Sequence, residues 1–255
     1  MDKDLLEKIM SIEAVSEANI ATAQQQFNPL THEINNRAKR PDKIIQVPTG
    51  LKDAQGNDTT TAKTVFVARQ AYPMQKLITK RRKAFMNLSK AELYTDSEDT
   101  VLLEMVKKVR KDNKYSFKIN EIATAQMSEL QAAELWYVTE DKEVKMQVLK
   151  PSNGDHLIPV FDRFGDMTYF ARVYQSVDGI EEPVDRVDVY SKDRIYRFSD
   201  EGAGFKIELD IPNQYGKIPV IYYSQPTAEW ADVQPIIERL ETLMSNFAED
   251  RKSVV

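Results

Sequence analysis

In the stretch "GFKIELDI", Phe205, Ile207, Leu209 and Ile211 alternate with Lys206, Glu208 and Asp210 without a break. A period of two sends apolar side chains to one face and charges to the other, which a β-strand with one wet face accommodates and a helix does not. The segments before it behave alike. "LIPVFD", "MTYFARVY", "VDRVDVYS" and "DRIYRFS" are short, β-branched or aromatic, and divided by the turn signals "SNGD", "RFGD", "SVDG" and "SDEGAG". Upstream, "ELWYVTEDKEVKMQVLKP" reads as a hairpin that begins at Trp136, turns near Glu140–Lys142 and returns with Val144, Met146 and Val148 between charges. Strands this closely spaced pair antiparallel, since a parallel neighbour needs a crossover of a dozen residues or more.

Helical periodicity flanks this region. Residues 3 to 26 read as one helix with Leu5, Leu6, Ile9 and Ile12 as its stripe. Residues 72 to 85 give a second, with Leu77, Ile78 and Phe85 inward. "TDSEDTVLLEMVKKVRKDN" gives a third, with Thr95 and Glu98 as a capping box, Val101, Leu102, Met105 and Val109 as one face, and Lys107 to Lys111 at the carboxyl end of its dipole. "FKINEIATAQMSELQAAEL" follows with Ile119, Ile122, Ala123, Met127 and Leu130 in register. Residues 28 to 62 carry Pro, Gly, Asn and Thr without a period, and predict an extended arm with one short strand at Ile44–Val47. After a strand at Ile218–Tyr223, Asp232 is placed to cap a last helix. Val233, Ile236, Ile237, Leu240, Leu243, Met244 and Phe247 form its continuous apolar face. The predicted class is α+β: a helical N-terminal part, a central antiparallel sheet of hairpins and a long C-terminal amphipathic helix.

Composition removes several functions. A net charge of −5 argues against a general nucleic-acid binder driven by counterion release. Without cysteine there are no disulfides, no thiolate chemistry and no cysteine-bound metal, which fits a reducing cytosol. The acidic N-terminus "MDKDLLEKIMSIEAV" lacks the form of a signal peptide, and no stretch reaches the roughly 18 apolar residues of a membrane helix.

Catalytic patterns are equally scarce. "GAGFKI" lacks a third glycine and opens no helix, so it reads as a turn. His32 and His156 stand apart from each other and from any metal-ligand spacing. Asp96, Glu98 and Asp99 suit a helix start, and Asp162 and Asp166 suit the tight turn they flank. The expectation is no catalytic residue, no metal and no cofactor. One charge feature remains, a basic run on the helix at 72–85. Lys76, Lys80 and Lys83 share a side, with Arg81 and Arg82 beside them, a stripe able to face phosphates or an acidic partner.

Four stretches, in order, resemble the N-terminal part of bacteriophage portal proteins, the type found in tailed phages and prophages of Gram-positive hosts. The first is the helix ahead of "NLSKAEL". The second is "LLEMVKKVRKDNKYSFKINEIATAQMSELQAAELWYV", similar to the family's paired helices joined by an Asn-containing turn and running into a strand, where Ala133 precedes an aromatic pair. The third is "MQVLKPSNGDHLIPVFDRFGDMTYFARVY". In the fourth, Gly216, Ile218, Pro219, Val220 and Ile221 match a strand start, Asp232 the cap of the next helix, and Ser245 and Asn246 a polar pair near its end. The likeness spans roughly residues 70 to 250, and this chain departs from it where many members have glycines in place of "QAAELWYV".

The resemblance implies a structural, non-enzymatic protein whose complete form is a dodecameric ring at one capsid vertex, admitting and releasing double-stranded DNA. It implies as partners other copies, capsid or scaffold protein, the terminase large subunit and a head-completion or tail adaptor. It implies no membrane, residence in the virion and assembly in the host cytoplasm. Residues 1–62 would be an N-terminal helix and arm, and 63–255 a wing-like domain with helices at 72–135, a sheet at 136–223 and a helix at 232–250. Stem, clip and crown would be absent. Val233, Ile237, Leu240, Met244 and Phe247 would then face the stem or a neighbouring subunit. Two other readings stand beside it. One is an assembly or adaptor module that binds a partner through the C-terminal helix, and the other is a metal-dependent nuclease using Asp162, Asp166 and the basic helix.

Overall fold

The computed structural model describes residues 3–96, 100–176, 183–200, 202 and 204–252. Among these, the helices are α1 (Lys3–Met10), α2 (Glu17–Phe27), α3 (Met74–Met86), α4 (Val101–Asp112), α5 (Tyr115–Glu129) and α6 (Gln234–Lys252). The strands are β1 (Lys43–Lys52), β2 (Asp58–Val65), β3 (Gln131–Val138), β4 (Val144–Leu149), β5 (His156–Phe161), β6 (Met167–Ser176), β7 (Val184–Ser191), β8 (Arg194–Asp200), β9 (Lys206–Pro212) and β10 (Val220–Ser224). Every pairing is antiparallel, in sheets ordered β1-β2, β10-β3-β4 and β5-β6-β7-β8-β9. The class is α+β, as predicted. The chain divides into two compact units, Met1–Gln24 with Thr79–Glu229, and Gln25–Ile78 with Trp230–Val255.

The larger unit is layered. Ala132 and Trp136 of β3 pack towards α5, with Ile122, Ala125, Met146 and Val148. Ala133 and Leu135, on the alternate face, meet Leu157, Phe170 and Tyr190 of the five-stranded sheet. That sheet turns Ile158, Ala171, Val187, Val189 and Phe198 to its other face, where Leu6 and Ile9 of α1 cover them. Burying a side chain of this size stabilises by about 1.5–3 kcal/mol, so these three interfaces account for much of the unit's cohesion.

Several elements differ from the sequence reading. The helix expected over 3–26 breaks, because Glu13 Oε1 accepts the Glu17 N–H at 2.7 Å and gives a second helix its own start. The helix expected to run to residue 135 stops at Glu129. Leu130 takes a left-handed turn (φ 67°), and the chain becomes strand at Gln131, five residues before the expected switch. Both faces of β3 are buried at its start, so "QAAEL" shows no alternation there. The single central sheet is two sheets, since β10 returns to pair with β3 from Val220↔Leu135 to Ser224↔Gln131. β9 is an edge strand whose apolar row, Ile207 and Ile211, stays about half exposed. The proposed capping box uses Glu98, which lies outside the described residues, as do Asp99 and parts of the "SVDG" and "SDEGAG" turns.

In the smaller unit, the arm expected at 28–62 contains a long ribbon. β1 and β2 pair from Lys43↔Val65 to Lys52↔Asp58, with a register shift after Pro48. Asp53 fixes its turn by accepting the Gln55 and Asn57 N–H groups at 2.9 and 2.8 Å. The ribbon is exposed on both faces along nearly its whole length. Trp230 is fully buried, stacked on Phe27 at 5.5 Å, with its indole N–H donating to Gln26 Oε1 at 3.0 Å. α6 begins at Gln234 with Pro235 in its first turn, where the missing N–H costs nothing. Asp232, the expected cap, sits inside the 3-10 turn Ala231–Val233 that precedes the helix.

Candidate functional site

The 19-residue helix α6 is turned opposite to its composition. Its inward line is Ile237, Glu241, Ser245 and Glu249, four residues apart and so stacked on one side. Glu241 and Ser245 are fully buried. Glu241 Oε1 lies 2.7 Å from His32 Nδ1 and accepts the Tyr72 N–H at 2.8 Å. Ser245 Oγ accepts the Gln70 N–H at 2.9 Å. Glu249 pairs with Arg40 at 2.5 Å and Lys43 at 2.7 Å, and Arg40 also donates to Asn246 Oδ1 at 2.9 Å. The helix thus binds its unit through polar groups that satisfy backbone donors and cations from residues 32–72.

Its apolar residues point outward. Ile236 and Leu243 are 68% and 57% exposed, and Val233, Leu240, Met244 and Phe247 are exposed as well. Of the five residues picked out as a contact face, Ile237 alone is buried. Val233, Ile236, Leu240, Leu243 and Phe247 follow one another at steps of three, four, three and four. That is the spacing of a seam that meets another helix. The helix α4 also carries exposed apolar residues: Leu102 and Met105 are more than 60% exposed, and no α4 residue is buried.

The basic run lies on α3, which contributes to both units. In the smaller unit, Lys76 Nζ stands 5.6 Å from the centre of the Phe27 ring. In the larger, Arg82 pairs with Glu229, and Lys83 donates to Thr124 Oγ1 at 2.8 Å. Lys80 and Arg81 are exposed. Three of the five cations therefore already engage groups of their own chain.

The remaining titratable candidates have structural surroundings. Asp162 Oδ1 accepts the Phe164 and Asp166 N–H groups at 2.8 and 3.0 Å, which makes it the anchor of its turn. His156 Nδ1 lies 2.8 Å from Glu17. The densest ionic cluster sits on β6–β8. Arg197 grips the buried Asp188 through two bonds of 2.7 and 3.0 Å, and Arg172 reaches Asp155 at 2.7 Å. The hydrogen bond to Asp188 raises the Arg197 pKa further, and burial pushes the Tyr190 hydroxyl up. Each buried charge there has its own partner, so none is left uncompensated in the sheet. Among the described residues, no group of three or more His, Asp or Glu suited to a metal ion occurs and no helix is long and apolar enough to cross a membrane.

The inward polar line of α6 was missed in the sequence, although its signal is there: Glu241, Ser245 and Glu249 recur every fourth residue beside an apolar stripe. Asn113 was noted only as part of a turn. Buried, it donates to Val109 O at 2.9 Å and Val144 O at 2.8 Å, and accepts the Met146 N–H at 2.7 Å.

Comparison with curated proteins yields no match. The profile of the family described as "Phage portal protein, SPP1 Gp6-like" matches residues 22–253, nearly the whole chain. A match of that extent shows that this protein belongs to the SPP1 Gp6-like family of phage portal proteins.

Proposed function

We propose that the protein is the wing part of a structural portal protein whose complete form makes the ring channel at one capsid vertex, through which double-stranded DNA is packaged and later released. In this reading the complete protein forms a dodecameric ring. Its neighbours are capsid or scaffold protein, the terminase large subunit and a head-completion or tail adaptor. It assembles in the host cytoplasm and ends in the virion. It breaks no covalent bond and needs no cofactor. Residues 63–255 supply the wing, 1–62 an arm, and the exposed cations of α3 face DNA or an acidic neighbour.

What carries the reading is the family match over residues 22–253. The α6 seam supports it, since a closed ring needs a heterologous interface in which one copy's surface meets a different surface on the next. Val233, Leu240, Met244 and Phe247 are the residues for that contact, or for one with the stem. Electron microscopy of the complete gene product tests this. Closed rings of about a dozen copies around a central hole are expected. A folded monomer or small dimer from the complete product would overturn the ring and leave an adaptor that uses the same seam.

A further inference from the structure

By sequence alone, the cations at the end of α4 are partners of the helix dipole. The structure places them on the rim of an open groove of about 680 Å³ in the larger unit. Leu88 and Leu93 come from the segment after α3, Phe117 from the first turn of α5, and Arg110, Lys111 and Lys114 from α4 and the turn beyond it. Glu92 is the one carboxylate among the lining residues.

This groove is built in advance. Lys114 occupies a left-handed conformation (φ 52°), which costs a non-glycine residue about 1–2 kcal/mol and needs surrounding structure to hold it. The adjacent Asn113 supplies that hold through its three hydrogen bonds, two of which tie the turn to the edge of β4. Arg110 lies with its guanidinium 4.2 Å from the centre of the Tyr115 ring, which fixes its direction. Lys111 and Lys114 form no ion pair among the described residues.

Two features select the occupant. Concentrated positive charge in a chain of net charge −5 favours a carboxylate-rich or phosphate-rich ligand. Beside that charge, Phe117 is 80% exposed and Leu93 about a third exposed. Duplex DNA presents its phosphates outermost and keeps its apolar groups within the grooves, so backbone contact would leave both side chains wet. An amphipathic helix offers apolar residues at i, i+3, i+4 and i+7 with acidic residues alongside, and satisfies both. We infer that this groove docks an acidic amphipathic helix from another protein. The inference stands whether or not the chain forms a ring.

The test uses the full chain and a fluorescent peptide of roughly four helical turns, with Leu at i, i+3, i+4 and i+7 and Glu at most other positions. Fluorescence anisotropy should give a Kd of roughly 1–100 µM, weakening with salt. Lys111→Glu with Lys114→Glu should weaken binding by about tenfold or more, and Phe117→Ser, at an exposed position, by several-fold with the fold unchanged by circular dichroism. A scrambled peptide of equal composition should bind about tenfold less well. No binding, equal binding of the scrambled peptide, or indifference to both variants would overturn the inference. So would a duplex of about 30 base pairs that binds more tightly and displaces the peptide, which would make the groove a nucleic-acid interface.

Discussion

His32 Nδ1 and Glu241 Oε1 are 2.7 Å apart across 209 positions of sequence, and both residues are buried. His32 Nε2 faces the Gln26 carbonyl oxygen at 2.7 Å, and since a carbonyl only accepts, that nitrogen carries a hydrogen. One oxygen of Glu241 accepts the Tyr72 N–H at 2.8 Å and lies against His32 Nδ1. Glu241→Ala strands both in the interior and should destabilise the smaller unit by about 3–5 kcal/mol. Urea unfolding followed by Trp230 fluorescence reads this, and a loss below about 1 kcal/mol would show the pair to be incidental.

Opposite sides of α6 should respond differently to substitution. Ile237→Ala removes buried methyl groups and should cost about 2–4 kcal/mol. Leu243→Asp, on the outward seam, should change monomer stability by no more than about 0.5–1 kcal/mol. It should nevertheless abolish assembly of the complete product, as seen by light scattering. Intact assembly in Leu243→Asp would remove the seam from the interface.

Asn113→Ala leaves the Met146 N–H and the Val144 carbonyl without their partner and should cost about 2–3 kcal/mol. Asn113→Asp keeps the acceptor but turns a buried carboxylate oxygen against the Val109 and Val144 carbonyl oxygens, so it should cost at least as much. Amide exchange at Met146 should quicken in the alanine variant, and unchanged exchange there would mean that the turn holds without this residue.

Acid should weaken the smaller unit through two carboxylates. The Val67 N–H at 3.1 Å, with Arg69 beside it, holds the Asp42 pKa below its usual value. The Lys43 ammonium, with Arg40, does the same for Glu249. A depressed folded-state pKa means that the unfolded chain takes up the proton first as pH falls. Their stabilisation is therefore complete above about pH 5 and is lost as pH falls through the lowered folded-state pKa values, beneath the usual carboxylate range. The urea midpoint should fall over that window in the parent and less steeply in Asp42→Asn/Glu249→Gln. Identical slopes would assign the acid sensitivity to other groups.

Much of the fold could be read in the sequence wherever a local signal matched its surroundings, although Phe85 and Leu77, expected inward, are 93% and 45% exposed. Leu6 and Ile9 lie on the face their spacing indicates, and the hairpins at 156–212 pair as their turns require. Signals failed where the environment was symmetric. β1 and β2 are wet on both faces, and the start of β3 is buried on both, so neither shows a period of two. Leu130 turns left-handed without the glycine that usually announces such a turn. The seam of α6 was visible as an apolar stripe, but its direction was not. That direction depends on Glu241 and Ser245 meeting His32, Gln70 and Tyr72, which lie 169 to 209 positions away.

Turning the polar side of α6 inward separates two demands that most amphipathic helices meet with the same residues. When an apolar side faces a helix's own core, a change that suits a new neighbour also disturbs the fold. Here Ile236, Leu240 and Leu243 can be exchanged for side chains of other shapes while Glu241, Ser245 and Glu249 keep their bonds. What the helix recognises can thus diverge at little cost in folding, and the positions at which such divergence would accumulate are already separated along the helix.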